Sequence, residues 1–137
     1  MRRVEDIMST GVTVVSPDQP LREAAQLMAD LDIGSLPVCD GDRLLGILTD
    51  RDIAVRAVAA GRSVDTPVQD VMSGDVLCVA SDQPVEDVMR DMASAQVRRI
   101  PVVDSEHRLV GIVSLGDLAL MEQENVDRTL REVSKPG

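Results

Sequence analysis

One stretch of this chain occurs twice, and that repetition constrains the fold more than any feature of composition. "IGSLPVCDGDRLLGILTDRD" runs from Ile33 to Asp52, and "VRRIPVVDSEHRLVGIVSLGD" runs from Val97 to Asp117. Pro37 and Pro101, Pro20 and Pro84, and Met8 and Met72 all stand 64 residues apart. Past the turn the spacing becomes 65, as between Gly46 and Gly111 or Asp52 and Asp117, because "DSEHRLVG" has one residue more than "DGDRLLG". So many matches in one order mark a duplicated unit.

Each copy reads in the same way. "VTVVSPDQP" and "VLCVASDQP" are short β-runs stopped by Asp and Pro, which announce a helix start. The helix of the first copy places Leu21, Ala24, Ala25, Met28 and Leu31 on one face; the second places Val85, Val88, Met89, Met92 and Ala95. Two strands follow, "SLPVCD" and "LLGILT" around "GDR", then "RIPVVD" and "LVGIVS" around "SEH". A second helix begins near Asp52 and near Asp117. The fold class expected is therefore α/β (of the α+β type), as two β-α-β-β-α repeats. Residues 1–60 form the first repeat, 61–67 ("GRSVDTP") a linker, 68–123 the second repeat, and 124–137 a tail. Val126, Leu130 and Val133 give that tail helical spacing.

With no Phe, Tyr or Trp, the core must be aliphatic and methionine, and most methionines read as core filler. The net charge of −10 repels a nucleic-acid backbone, and without aromatic rings single strands have nothing to stack on. No apolar run reaches the roughly 18 residues needed to span a membrane. "MRRVEDIMST" is not a secretory signal. Cys39 and Cys78 lie in apolar strand-like stretches and read as buried small hydrophobes. A cytoplasmic location follows.

Signatures of catalysis are scarce. The single histidine, His107, sits in a hairpin turn with no nucleophile beside it in sequence. "DGD" at Asp40–Asp42 lacks the further ligands of a calcium loop. Phosphate-cradling glycine loops and metal-ligand spacings do not occur. The unusual positions are the two strand-to-helix junctions, "GILTDRD" and "GIVSLGD", where Thr49 and Ser114 precede Asp52 and Asp117 by three residues. One reading is helix capping, the hydroxyl and the acid serving the first turn. The other is a nucleotide site, in which the hydroxyl and the helix N-terminus receive a phosphate while the carboxylate accepts both ribose hydroxyls.

At these residues the chain resembles tandem cystathionine-β-synthase (CBS) domains, the Bateman module, over roughly Val4 to Gln123. The resemblance rests on "DIM" and "DVM", on "IGSLPV" and "VRRIPVV", and above all on "GILTDRD" and "GIVSLGD". It implies a pseudo-twofold pair of repeats whose clefts bind AMP, ADP, ATP or S-adenosylmethionine. By that resemblance Asp52 and Asp117 hold ribose, Thr49 and Ser114 meet phosphate, and Ile47 and Ile112 lie beside the ribose or base. Gly34 and Ser35, and Arg98 and Arg99, would line the clefts; the backbones of Val12, Thr13, Val76 and Leu77 would grip adenine. Two departures stand out: Asp50 occupies the place of Leu115, and the first copy lacks an arginine pair before its proline.

The function expected is a non-enzymatic regulatory module responding to AMP, ADP, ATP or S-adenosylmethionine, with no required cofactor and an unidentified protein target. The rival is a ligand-free structural or stress-associated protein. A homodimer is expected through the helices carrying "IAVRAVAA" and "LALM", which are more apolar than a solvated face requires. The two clefts should be unequal. Arg98 and Arg99 point to opposite sides of a strand, so one should reach phosphate near Asp117. Asp50 works against phosphate near Asp52, unless Arg51 or Arg56 neutralises it.

Overall fold

The computed structural model describes residues 2–123. The chain forms two compact units: one gathers residues 2–11, 78–102 and 110–123, the other residues 12–77 and 103–109. The elements are α1 (Leu21–Leu31), β1 (Ser35–Asp40), β2 (Arg43–Thr49), α2 (Asp50–Asp52), β3 (Val79–Ala80), α3 (Val85–Ala95), β4 (Arg99–Val103) and β5 (Leu109–Ser114). A further helix, α4, occupies residues 115–123. β1 and β2 form an antiparallel hairpin, and β3, β4 and β5 form a three-stranded sheet in that order. The fold class is α/β. The expected 124–137 tail lies outside the described residues.

Each unit has its own aliphatic core. In the unit of residues 12–77, Val15, Leu21, Ala24, Met28, Leu36, Val38 and Leu48 pack with Val68 and Val71. In the other, Val4 joins Val79, Val85, Val88, Met92, Ile100, Val102, Val113 and Leu118. Full burial of a Val, Leu, Ile or Met side chain contributes about 1.5–3 kcal/mol, so these cores draw on branched aliphatics and methionine without any aromatic ring. The helical stripes are narrower than the sequence suggests. Ala25, Leu31 and Ala95 are exposed, and only Leu21, Ala24 and Met28 on α1 and Val85, Val88 and Met92 on α3 are buried.

Both helices start at a proline, Pro20 or Pro84, without a side-chain cap. Backbone carbonyls serve instead. Leu21 and Arg22 donate their N–H groups to Thr66 and Val64, while Val85 donates to Arg2. Thus the segment before "DVM" caps α1 and the segment before "DIM" caps α3. The short helical turns Val4–Asp6 and Val68–Asp70 follow these capping segments.

The first β-run of each copy is shorter than expected. In the first copy only Val15 pairs, by a parallel bridge to Val38; in the second, β3 has two residues. Pro37 supplies the reason. Val15 donates to the Pro37 carbonyl at 3.0 Å and accepts from Cys39 at 2.9 Å, but the next rung would need an N–H on Pro37. Pro101 stands at the aligned position of the second copy. The second helix of the first copy also departs from expectation: after Asp50–Asp52 it widens into a π-helix over Ile53–Val58.

Candidate functional site

The two strand-to-helix junctions are built alike. β2 ends at Thr49, whose Oγ1 accepts the Asp52 N–H at 3.0 Å while Asp52 Oδ2 accepts the Thr49 N–H at 3.0 Å. At the end of β5, Ser114 Oγ accepts the Asp117 N–H at 3.1 Å and Asp117 Oδ2 accepts the Ser114 N–H at 2.9 Å. These are reciprocal capping boxes, and they explain why the helices begin at 50 and 115, just after the hydroxyl, with the carboxylate on the third residue. The capping function does not exhaust either group. Each hydroxyl accepts one bond and still has its own proton to donate, and each carboxylate keeps acceptor capacity on its other oxygen.

The two helix starts differ in charge. Asp50 Oδ1 accepts the N–H of Arg51 at 2.8 Å, so the first copy supplies its own anion to the first turn. The Asp50 carboxylate also lies over Gly34, where an added Cβ would be 3.0 Å from Oδ2. In the second copy Leu115 stands at this place and has no oxygen to offer. Leu115 donates its N–H to the Arg98 carbonyl at 2.9 Å, as Asp50 does to Gly34 at 2.9 Å.

Asp117, half-buried, opens on a cavity of about 470 Å³ lined by Arg2, Asp6, Ile7, Leu120 and Met121 besides itself. That volume lies within the range of small-ligand sites. Of these residues only Asp117 stands out in the sequence as a ligand-binding candidate. Leu120 and Met121 could have been found from their helical spacing to Asp117; Arg2, Asp6 and Ile7 could not, because they come from the other sequence copy.

The remaining expected residues are distributed as follows. Ile112 is buried in β5 and exchanges both backbone bonds with Ser9; Ile47, half-buried in β2, does the same with Ser73. Gly34 is exposed and Ser35 begins β1. Arg98 and Arg99 are both exposed, and Arg98 lines an apolar groove with Met89, Val97 and Leu115, a separate depression from the cavity at Asp117. Val12, Thr13, Val76 and Leu77 lie outside the sheets. Val12, Thr13, Val76 and Leu77 belong to the same unit as Asp52.

A family model for the CBS domain matches residues 4–58 and 68–123, so two copies cover most of the chain. The chain belongs to the CBS-domain family. This CBS pair is 46% identical over 125 residues to the CBS domain-containing protein YhcV of Bacillus subtilis, covering 91% of this chain and 89% of that one. The crystal structure of Hypoxic Response Protein I, with two coordinated zinc ions, superposes with a TM-score of 0.80 at 41% identity, covering 88% of this chain and 99% of that one. A crystal structure of CBSX2 in complex with AMP gives a TM-score of 0.79 at 26% identity, covering 90% of this chain and 98% of that one.

Among the described residues no group of three or more His, Cys, Asp or Glu side chains is placed to hold a metal ion. Cys39 is buried and Cys78 half-buried, and burial pushes both thiols above the ordinary cysteine range. Thiols so placed are poor nucleophiles and poor metal ligands. His107 has a left-handed backbone (φ 64°), and its carbonyl accepts the Leu44 N–H at 3.2 Å. In the described residues no helix is long and apolar enough to cross a membrane.

Proposed function

We propose that this CBS pair is a non-enzymatic regulatory module that binds an adenine nucleotide (AMP, ADP or ATP, or the related S-adenosylmethionine) and acts in the cytoplasm on a protein target. The observation that carries this reading is the cavity at Asp117, whose carboxylate accepts the Ser114 N–H while the Ser114 hydroxyl still has a proton to donate. A ribose 5′-phosphate fits that chemistry: the diol donates to the carboxylate, and phosphate accepts from the Ser114 hydroxyl and the start of α4. The AMP complex of CBSX2 supports the choice of ligand class.

Asp117 belongs to the tighter of two unequal half-sites. At the start of α4, Leu115 supplies no competing carboxylate, whereas Asp50 occupies the first turn after Thr49. The backbones of Thr13 and Leu77, left out of the ladders, are suited to hydrogen-bond the edge of a purine. Homodimerisation is part of the proposal. Val55 and Val58 are 53% and 72% exposed, and Leu115 and Leu120 are 48% and 66% exposed, so second helices of both copies present apolar surface.

Calorimetric titration of the purified chain with AMP, ADP, ATP and S-adenosylmethionine tests the reading. Binding that is lost on Asp117→Ala supports it; absence of heat with all four refutes it. Because the chain has no Trp or Tyr, a 260 nm band surviving desalting would expose a carried nucleotide directly. The rival, a ligand-free structural dimer, draws on the capping boxes, which already satisfy the first turns without a ligand. A dimer that binds none of the four ligands would establish that rival.

A further inference from the structure

The residues lining the cavity at Asp117 have aligned counterparts in the copy that carries Asp52. Arg2, Asp6, Ile7, Leu120 and Met121 correspond to Thr66, Asp70, Val71, Val55 and Arg56. The carboxylates are kept, but the cation changes elements: at Asp117 the arginine comes from the segment before "DIM", and at Asp52 it comes from the second helix itself. Arg56 lies one helical turn beyond Asp52. Its Nε is 4.0 Å from Asp52 Oδ1, and its Nη1 donates to the carbonyls of Val71 and Met72 at 3.4 and 3.3 Å. The guanidinium thus lies between the second helix and the Val71–Met72 backbone. Asp52 Oδ2 is already engaged by the Thr49 N–H. Oδ1, the oxygen with the most capacity left for a ribose diol, is the one that faces Arg56. At the aligned place in the other unit, Met121 carries no charge to set against Asp117.

We infer that Arg56 is a specificity-determining residue of the Asp52 half-site: its guanidinium competes with a ribose diol for the Asp52 carboxylate. This deepens the nucleotide reading above and rests on it. A ribosyl ligand at Asp52 competes with Arg56 for Oδ1. The competition is modest, because the Arg56 side chain is 56% exposed and the pair is at the long limit of an ion pair. Replacing Arg56 with the residue found in the other copy removes the competitor without adding a new ligand group.

The test is calorimetry with AMP and with 2′,3′-dideoxy-AMP, which has no diol. In an Asp117→Ala background, adding Arg56→Met should tighten AMP by about twofold to fivefold, the scale of one exposed ion pair. Binding of the dideoxy compound should not change. In the otherwise native chain, Met121→Arg should weaken AMP at the tight site, which keeps the inference testable if the Asp117→Ala chain does not fold. Unchanged or weaker AMP binding after Arg56→Met, or equal tightening of both compounds, would overturn the inference while leaving the nucleotide reading intact. Absence of AMP binding in the native chain and in every variant would overturn both.

Discussion

Replacing Gly46 with alanine builds a methyl group 2.5 Å from the Ser73 carbonyl oxygen and 3.0 Å from Met72 Sδ. Carbon–oxygen contacts normally begin near 3.3 Å, so the Ser73 backbone must retreat by roughly 0.8 Å. It is held by two hydrogen bonds to Ile47, of 3.0 and 2.9 Å, and these must stretch or break. At about 0.5–1.5 kcal/mol each, the loss is about 1–3 kcal/mol, which matches the usual cost of overpacking. Gly111→Ala meets a different obstacle. Its nearest atoms are Met8 Sδ at 2.5 Å and Cγ at 2.8 Å, with the Ser9 carbonyl oxygen at 2.9 Å. A methionine side chain can turn aside or be removed, whereas a paired backbone cannot. Trimming Met8 to alanine should therefore recover part of the Gly111→Ala loss, with a coupling of about 1 kcal/mol, and Met72→Ala should recover little of the Gly46→Ala loss. Urea denaturation followed by far-ultraviolet circular dichroism is the assay, since the chain has no aromatic fluorophore. Losses below about 0.5 kcal/mol for both glycines, or equal rescue by the two methionine changes, would refute the close-approach argument.

Nucleotide titrations should show Asp117→Ala removing the tightest site and Asp52→Ala producing a milder loss; equal losses would end the claim of asymmetry. Asp104→Asn should be less stable than the native chain at neutral pH. Backbone hydrogen bonds, first from Arg108 and also from Glu106, together with the Arg108 guanidinium at 2.8 Å, hold the Asp104 carboxyl below the ordinary aspartate range. A depressed folded-state pKa stabilises above the unfolded value, so the difference from the native chain should shrink as pH falls below the ordinary aspartate range through that lowered pKa, as acid titrations of both chains would show. Gln96→Gly should raise stability by about 0.5–1 kcal/mol and Asp32→Gly by less. Both residues end helices in the left-handed region (φ 56° and 54°), where glycine has no Cβ penalty and Asp is better tolerated than Gln. Thermal denaturation of the two variants checks this order.

The duplication, the hairpins, the central buried residues of α1 and α3, and the hydroxyl–carboxylate pairs at the ends of β2 and β5 were legible in the sequence alone. All of these are local: a periodicity, a turn and a three-residue spacing are fixed by residues close along the chain. Even there the ladder length escaped, because the missing N–H of Pro37 matters only once Val15 is known to lie beside it. Which unit each "DIM" or "DVM" segment joins was decided by the tertiary structure. Met8 and Met72 sit in equivalent sequence contexts, and both copies offer a strand with a glycine gap, so no local signal distinguishes the partners. The structure seats Met8–Ser9 against Gly111–Ile112 and Met72–Ser73 against Gly46–Ile47. That placement brings Arg2, Asp6 and Ile7 to Asp117, and it brings the Val71 and Met72 carbonyls to Arg56. Side chains more than 60 residues apart along the chain build the Asp117 cavity, and only packing brings them together.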